Sequence, residues 1–239
     1  MGGGEAVSGT VYGLGVGPGD PELITLKAQR ILAKVPVVAY PATEAGESLA
    51  RAIAAPHLPR DVEEVPIVIP IYAPNFPDDR LYNAAAERLG RRLGAGCDVA
   101  VLCEGDPFFY GSFMYLFARL AERYPVEVVP GVSSLTACAA ALGAPLAARD
   151  DVLTVLPATL DETVLRQRLA ATDAAALIKV GRHLAKVRRV LTELGLADRA
   201  RYVERATMAA ERLLPLAEAP VDAPYFSMVL VHRRGEAWR

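Results

Sequence analysis

Apolar positions along the chain fall into short dense runs separated by stretches of helical spacing. Residues 10–16, 37–39, 65–69, 98–102 and 126–129 read as short strands, with 98–102 apolar enough to be buried. Between them, Leu23, Leu26, Ile31 and Leu32 mark the expected buried stripe of a helix ending near Lys34. Residues 48–55, 81–93 and 113–120 also carry helical spacing. Strands alternating with helices predict an α/β fold. A helix at 135–142 ends at Gly143-Ala144-Pro145, and the pattern then restarts. Strands are expected at 152–156, 174–179, 201–203 and 225–232, with helices at 162–169 and 184–194. We therefore expect two α/β domains, 1–147 and 148–239, with residues 1–9 as a flexible lead-in.

Several of the predicted strands end in a glycine turn. The first, Gly15 to Gly19, is followed by Asp20, which suits a helix cap, Pro21, which suits a first helical position, and Glu22, which suits the positive helix end. The densest is Cys103-Glu104-Gly105-Asp106-Pro107-Phe108-Phe109-Tyr110-Gly111-Ser112. The third is Pro130-Gly131-Val132-Ser133-Ser134, whose serines can cap the next helix or hold a ligand carboxylate or carbonyl. Such turns are also ordinary loop chemistry. Three of them would converge at one rim of a sheet, and open α/β sheets bind ligands at the carboxyl ends of their strands. A fourth strand-end glycine, Gly181, is flanked by Lys179, Val180 and Arg182. Arg182, Lys186 and Arg189 form a solvated helix face or, alternatively, an anion site. Residues 70–80 form an irregular loop with prolines and aromatics, either functional or a surface excursion.

The first turn invites a dinucleotide-binding reading, but the spacing fails. The G-x-G-x-x-G fingerprint needs glycine where Pro18 stands if begun at Gly13, and where Asp20 stands if begun at Gly15. An acid at the helix start would also repel a pyrophosphate. Neither a G-x-S-x-G elbow nor a P-loop motif is present. Glu104 and Asp106, two apart in one turn, suit acid–base chemistry or the bonding of nearby backbone N–H groups. The chain is 52% hydrophobic and 23% charged with a net charge of −2, which argues against a general nucleic-acid binder. Its 3 cysteines lack C-x-x-C spacing and its 3 histidines do not cluster in sequence, so neither a disulfide framework nor a metal site is expected. With no leader pattern and no apolar run near the ~20 residues of a membrane span, we expect a cytoplasmic protein.

Taken in order, Gly13-Leu14-Gly15-Val16-Gly17-Pro18-Gly19-Asp20-Pro21, Gly105-Asp106-Pro107, Pro130-Gly131-Val132-Ser133-Ser134 and Lys179-Val180-Gly181 resemble the motifs of the tetrapyrrole methylases. The resemblance runs from about Thr10 to His232. It implies two α/β domains with a ligand cleft between them, a methyl donor, S-adenosylmethionine, and usually a homodimer. The segments 40–51, 103–115 and 224–230 resemble the branch that methylates the C(20) meso carbon of precorrin-2 or of cobalt-factor II in cobalamin biosynthesis. Other ring positions, a diphthamide precursor, a dinucleotide-dependent oxidoreductase and a non-catalytic tetrapyrrole carrier are the alternatives.

The resemblance also implies site residues. Pro18 would lie near the cofactor, and Glu104, Gly105, Asp106 and Phe109 would form the main cofactor loop. Ser133 and Ser134 would meet its methionine part. Val180 and Ala206 would border the adenine, although some relatives carry methionine and glycine there. Glu104 or Tyr110 would help remove the meso proton. The substrate is a macrocycle rimmed with carboxylates, for which Arg51, Arg80, Arg149, Lys179 and Arg182 are the candidate partners.

Overall fold

In the computed structural model, residues 8–70 and 77–235 are described. Most of the expected lead-in, and residues 71–76 of the expected loop at 70–80, lie outside them. The chain divides into two compact units after Ser133.

The first unit is built on five parallel strands in the order β3-β2-β4-β1-β5. These are β1 (Val11–Gly15), β2 (Val37–Ala42), β3 (Glu63–Val68), β4 (Val99–Cys103) and β5 (Val126–Val129). The pleat sorts their side chains between two cores. Val11, Ala39, Val99, Val101 and Cys103 face one layer, covered by α3 (Asp79–Gly94) and α4 (Phe113–Leu120). Leu14, Val38, Ala100 and Leu102 face the other, covered by α1 (Leu26–Leu32) and α2 (Leu49–Ala54). Buried on both faces, β4 is apolar throughout, as a central parallel strand must be.

The first helix differs from expectation. Asp20 caps a single 3-10 turn, Pro21–Leu23, accepting the Glu22 N–H at 2.8 Å. The backbone is then extended at Ile24 and Thr25, and α1 begins afresh under a Thr25 cap. The shift of register puts Ala28 and Leu32 in the core and leaves Leu26 78% exposed.

The second unit holds a mixed sheet, β6-β7-β10-β8-β9. Strands β6 (Leu153–Pro157) and β7 (Ala174–Ile178) are parallel. Strand β10 (Ser227–His232) is antiparallel to β7 and to β8 (Ala200–Glu204), and β9 (Arg212–Pro215) is an antiparallel edge strand that the sequence pattern missed. Helices α6 (Glu162–Ala170) and α7 (Leu184–Glu193) cover one face through Leu165, Leu169, Val187 and Leu191. Helix α5 (Ser134–Leu142) covers the other, packing Ala137 and Cys138 against Ala176, Val203 and Met228. That packing places α5 with the second unit, and the division falls earlier than the boundary after Ala147 expected from the sequence.

One carboxylate ties both ends of this unit together. Asp151, its side chain 4% exposed, accepts the Ala148 N–H at 2.8 Å and lies 2.8 Å from the Arg234 guanidinium. His232 Nδ1 accepts the Arg234 N–H at 3.2 Å, so its Nε2 is the nitrogen that donates to Asp151, at 3.0 Å. Arg234 first, then the Ala148 amide and the His232 ring, hold the Asp151 carboxyl well below the usual carboxylate range. A carboxyl depressed by folding adds stability that is fully present above its unfolded pKa, ~3.9, and is lost as pH falls toward the folded value. Asp151→Asn should therefore lower the thermal midpoint at neutral pH and flatten its decline between roughly pH 4 and pH 2. Acid limbs that superimpose for the two proteins would contradict this arrangement.

Candidate functional site

The helix following β1 packs on one face of the first sheet and the helix following β4 on the other, although β1 and β4 are neighbours. Adjacent strands whose connections leave to opposite faces open a crevice at their carboxyl ends, where α/β sheets hold ligands. The glycine turns are found there. Gly105 donates to Gly17 O at 2.8 Å and accepts from Gly17 N at 3.3 Å, forming a bridge between the turns after β4 and β1. Gly105 sits at φ +65°, the left-handed region that glycine enters without steric cost. The turn after β5 closes on the same point. A Cβ on Gly131 would lie 2.0 Å from Gly105 O, and one on Gly15 2.5 Å from Gly131 Cα. The expected convergence of three turns is therefore a main-chain contact that admits no side chain.

Asp106 holds this contact. Its Oδ1 accepts the Phe108 and Phe109 N–H groups at 2.9 and 3.1 Å, and its Oδ2 accepts the Gly131 N–H at 3.1 Å. Of the two uses open to it from sequence, the structure realises the bonding of nearby amides. Glu104 differs. It accepts the Ala50 N–H near the start of α2 at 3.2 Å, and burial pushes its carboxyl above the ordinary value. Burial also holds the neighbouring Cys103 thiol up at about 11, so it stays protonated at neutral pH.

Beyond Asp106 the aromatics divide their work. Phe108 packs on Phe117 at 5.1 Å and Phe113 at 6.0 Å, anchoring the turn to α4. Phe109 and Tyr110 meet edge-to-face at 5.2 Å and remain 37% and 47% exposed. Tyr110 sits at φ 57°, an uncommon conformation for a bulky residue. Pro18 is buried in the first turn, Ser133 is half-buried, and Ser134 is exposed at the first position of α5.

In the second unit, Lys179 directly follows β7 at φ 56° with its side chain exposed, and Val180 after it is fully buried. Ala206, 7% exposed, lies between Arg205 at φ 49° and Thr207 at φ 67°. Strained backbone of this kind concentrates at functional sites. Nothing in the sequence at Arg205 or Thr207 announces it.

The expected substrate cations are placed differently from one another. Arg80 is exposed in the first turn of α3, Arg149 is exposed at φ 52°, and Arg182 is exposed with Nε 3.4 Å from His183 Nε2. The Arg51 guanidinium is already engaged, its Nε and a terminal nitrogen donating to Glu64 at 3.1 and 2.8 Å. Glu64 also accepts the Tyr40 hydroxyl at 2.6 Å. Sequence reading missed this cluster because β3 brings Glu64 beside β2 only through strand register.

The donor set suits a cationic, non-phosphorylated ligand. Asp20 occupies the amide that a phosphate at the first turn would need. The half-buried Glu104 carboxyl group and exposed aromatic rings match a positive charge.

Such an α/β unit, with glycine turns bridged at the switch point, defines a ligand-binding α/β protein of a particular family. The sequence profile of the Tetrapyrrole (Corrin/Porphyrin) Methylases matches residues 10–220, and the chain belongs to that family. A Precorrin-2 C(20)-methyltransferase from Sinorhizobium sp is 47% identical over 93% of this chain and 95% of its own length. A Cobalt-precorrin-2 C(20)-methyltransferase from Salmonella typhimurium is 32% identical over 96% of this chain and 99% of its own length. Among solved structures, uroporphyrin-III C-methyl transferase from Thermus thermophilus, complexed with S-adenyl homocysteine, matches 94% of this chain and 92% of its own, with a TM-score of 0.68 and 28% identity.

Proposed function

We propose that the protein transfers a methyl group from S-adenosylmethionine to the C(20) meso carbon of precorrin-2, in cobalamin biosynthesis. The observation that carries this is the 47% identity to the Sinorhizobium protein over nearly the whole of both chains. The 32% identity to the cobalt-precorrin-2 relative ranks the cobalt-containing macrocycle second as substrate.

When bound, S-adenosylmethionine supplies an electrophilic methyl group on a positively charged sulfur. The chain's own part is to hold, orient and move a proton. The bridged turns at Pro18, Gly105 and Gly131 give a rigid rim, and orientation of reactants can supply ~7–11 kcal/mol of a barrier. Asp106 orients the rim through its three amide bonds and stays in the loop that would border the cofactor. Phe109 offers a ring face, Ser133 and Ser134 offer hydroxyls and helix-start amides for a carboxylate, and Val180 and Ala206 offer main chain. Glu104 is the proton acceptor at the meso carbon: burial raises its proton affinity in the direction that a base working near neutral pH needs. Tyr110, exposed in the same turn, is the second candidate.

For the substrate carboxylates, the exposed cations Arg80, Arg149, Lys179 and Arg182 are the partners. Arg51 would have to surrender Glu64 to join them, so its part is to fix α2. We take the protein to act as a cytoplasmic homodimer, as its family likeness suggests; no helix among the described residues is long and apolar enough to cross a membrane. Anaerobic incubation with precorrin-2 and S-adenosylmethionine tests the reading by mass spectrometry. The product should gain one methyl group, and an unchanged mass with both precorrin-2 and cobalt-factor II would refute it.

A further inference from the structure

The first unit carries a second concave site, on the same sheet but at its other end. A groove of about 360 Å³ runs between α1 and the edge strand β5, lined by Tyr12, Lys27, Arg30, Ile31, Lys34, Val35, Asp98 and Glu127. That volume falls within the range of small-molecule sites. Asp98 immediately precedes β4, and Tyr12 and Glu127 face each other at the beginnings of β1 and β5. The strands are parallel, so the groove lies at their amino ends and the glycine rim at their carboxyl ends, separated by roughly 15 Å of sheet.

Charge accounting shows what the groove lacks. Lys27 and Arg30 fall at i and i+3 on one side of α1, and Lys34 follows in the turn that ends it. Glu127 pairs with Lys27, and Asp98 Oδ1 accepts the Thr10 N–H at 2.7 Å. Of the two acids, only Glu127 is ion-paired among the described residues; three cations against the two acids leave the lining one net positive charge. Arg30 commits only its Nε, to Leu26 O at 3.4 Å, and among the described residues no carboxylate pairs with Arg30 or Lys34. Two exposed cations therefore stand beside a half-buried floor of Tyr12 and Ile31 and a buried Val35. A guanidinium fork with an ammonium beside it is the side-chain chemistry that takes up a carboxylate or a phosphate. The tyrosine ring and the two aliphatic side chains suit a small apolar body.

We infer that this groove binds a small organic anion, with its carboxylate or phosphate group between Arg30 and Lys34 and its apolar body over Tyr12, Ile31 and Val35. The site is independent of the methyl-transfer rim and shares no residue with it.

The test is an amide NMR titration of the full-length protein with phenyl phosphate, benzoate and, as the neutral control, benzyl alcohol. Saturable shifts confined to residues 27–35, Tyr12 and 126–128 are expected with the anions and not with the alcohol. The tighter of the two anions identifies the group the site prefers. The double variant Arg30→Ala, Lys34→Ala should bind at least about tenfold more weakly, a change of ~1.4 kcal/mol. It should keep its thermal midpoint and its affinity for S-adenosylhomocysteine, since both side chains are exposed. Shifts that fail to saturate, that persist undiminished in the double variant, or that follow the neutral alcohol equally would overturn the inference.

Discussion

Replacing Gly131 by alanine is expected to cost several kcal/mol of stability and most of the methyl-transfer activity. The added Cβ would fall 2.0 Å from Gly105 O and 2.7 Å from Gly15 Cα, and both are backbone atoms that cannot rotate away. The turns after β1, β4 and β5 would have to separate. Overpacking a tight contact costs ~1–3 kcal/mol and sometimes more. Separation also pulls the Gly131 N–H from Asp106 Oδ2, and a hydrogen bond to a charged group is worth ~1.5–3 kcal/mol. Gly46 provides the control: it sits at φ +83° and a Cβ added there would meet nothing within 4 Å, so Gly46→Ala carries only the local penalty of ~1–2 kcal/mol for a left-handed residue. Urea denaturation of the two variants decides the matter. Equal losses would mean that the rim is not the tight junction described.

Glu104→Gln should reduce methyl transfer by ~10²–10⁴-fold, the usual worth of a positioned proton acceptor, while changing affinity for S-adenosylhomocysteine only a few-fold. Glutamine keeps the shape and an oxygen for the Ala50 N–H, so α2 stays tied to the rim. What it loses is the carboxylate whose proton affinity burial has raised. For a base of this kind the wild-type rate should fall as pH drops through the raised carboxyl pKa, because only the ionised form accepts a proton. The variant should lack that acid limb. If the rate is unchanged, Glu104 is structural and Tyr110 becomes the group to vary. If cofactor affinity collapses together with the rate, Glu104 holds the cofactor instead.

Much of the fold could be read from the sequence where local chemistry and tertiary context agreed. The Gly15, Gly105 and Gly131 turns stood out because each follows a dense apolar run and opens a helical one, and the structure brings all three to one point. The buried strand ending at Cys103 was legible for the same reason. Helix α1 was misjudged because Leu23 and Leu26 look like a stripe, whereas the Thr25 cap restarts the helix and turns Leu26 outward. Strand β9 escaped notice because an exposed four-residue edge strand ending in Pro215 has no buried face to impose alternation. The candidate site divided along similar lines. Asp106 and Glu104 look equivalent in sequence, two residues apart. Their roles separate only when Gly131 N meets one and Ala50 N meets the other. Arg51 reads as a free cation until strand register supplies Glu64. The left-handed Arg205 and Thr207 carry no signature at all, since neither residue type favours that conformation.

The measurement that bears most directly on the central claim uses S-adenosylmethionine labelled with ¹³C in its methyl group. Precorrin-2 would be incubated with it and the protein anaerobically, and the label located in the product by NMR. Our account predicts one new methyl signal, bonded to C(20). A label at another ring carbon would keep the family and contradict the assigned position, and no label in either precorrin-2 or cobalt-factor II would contradict the proposed reaction.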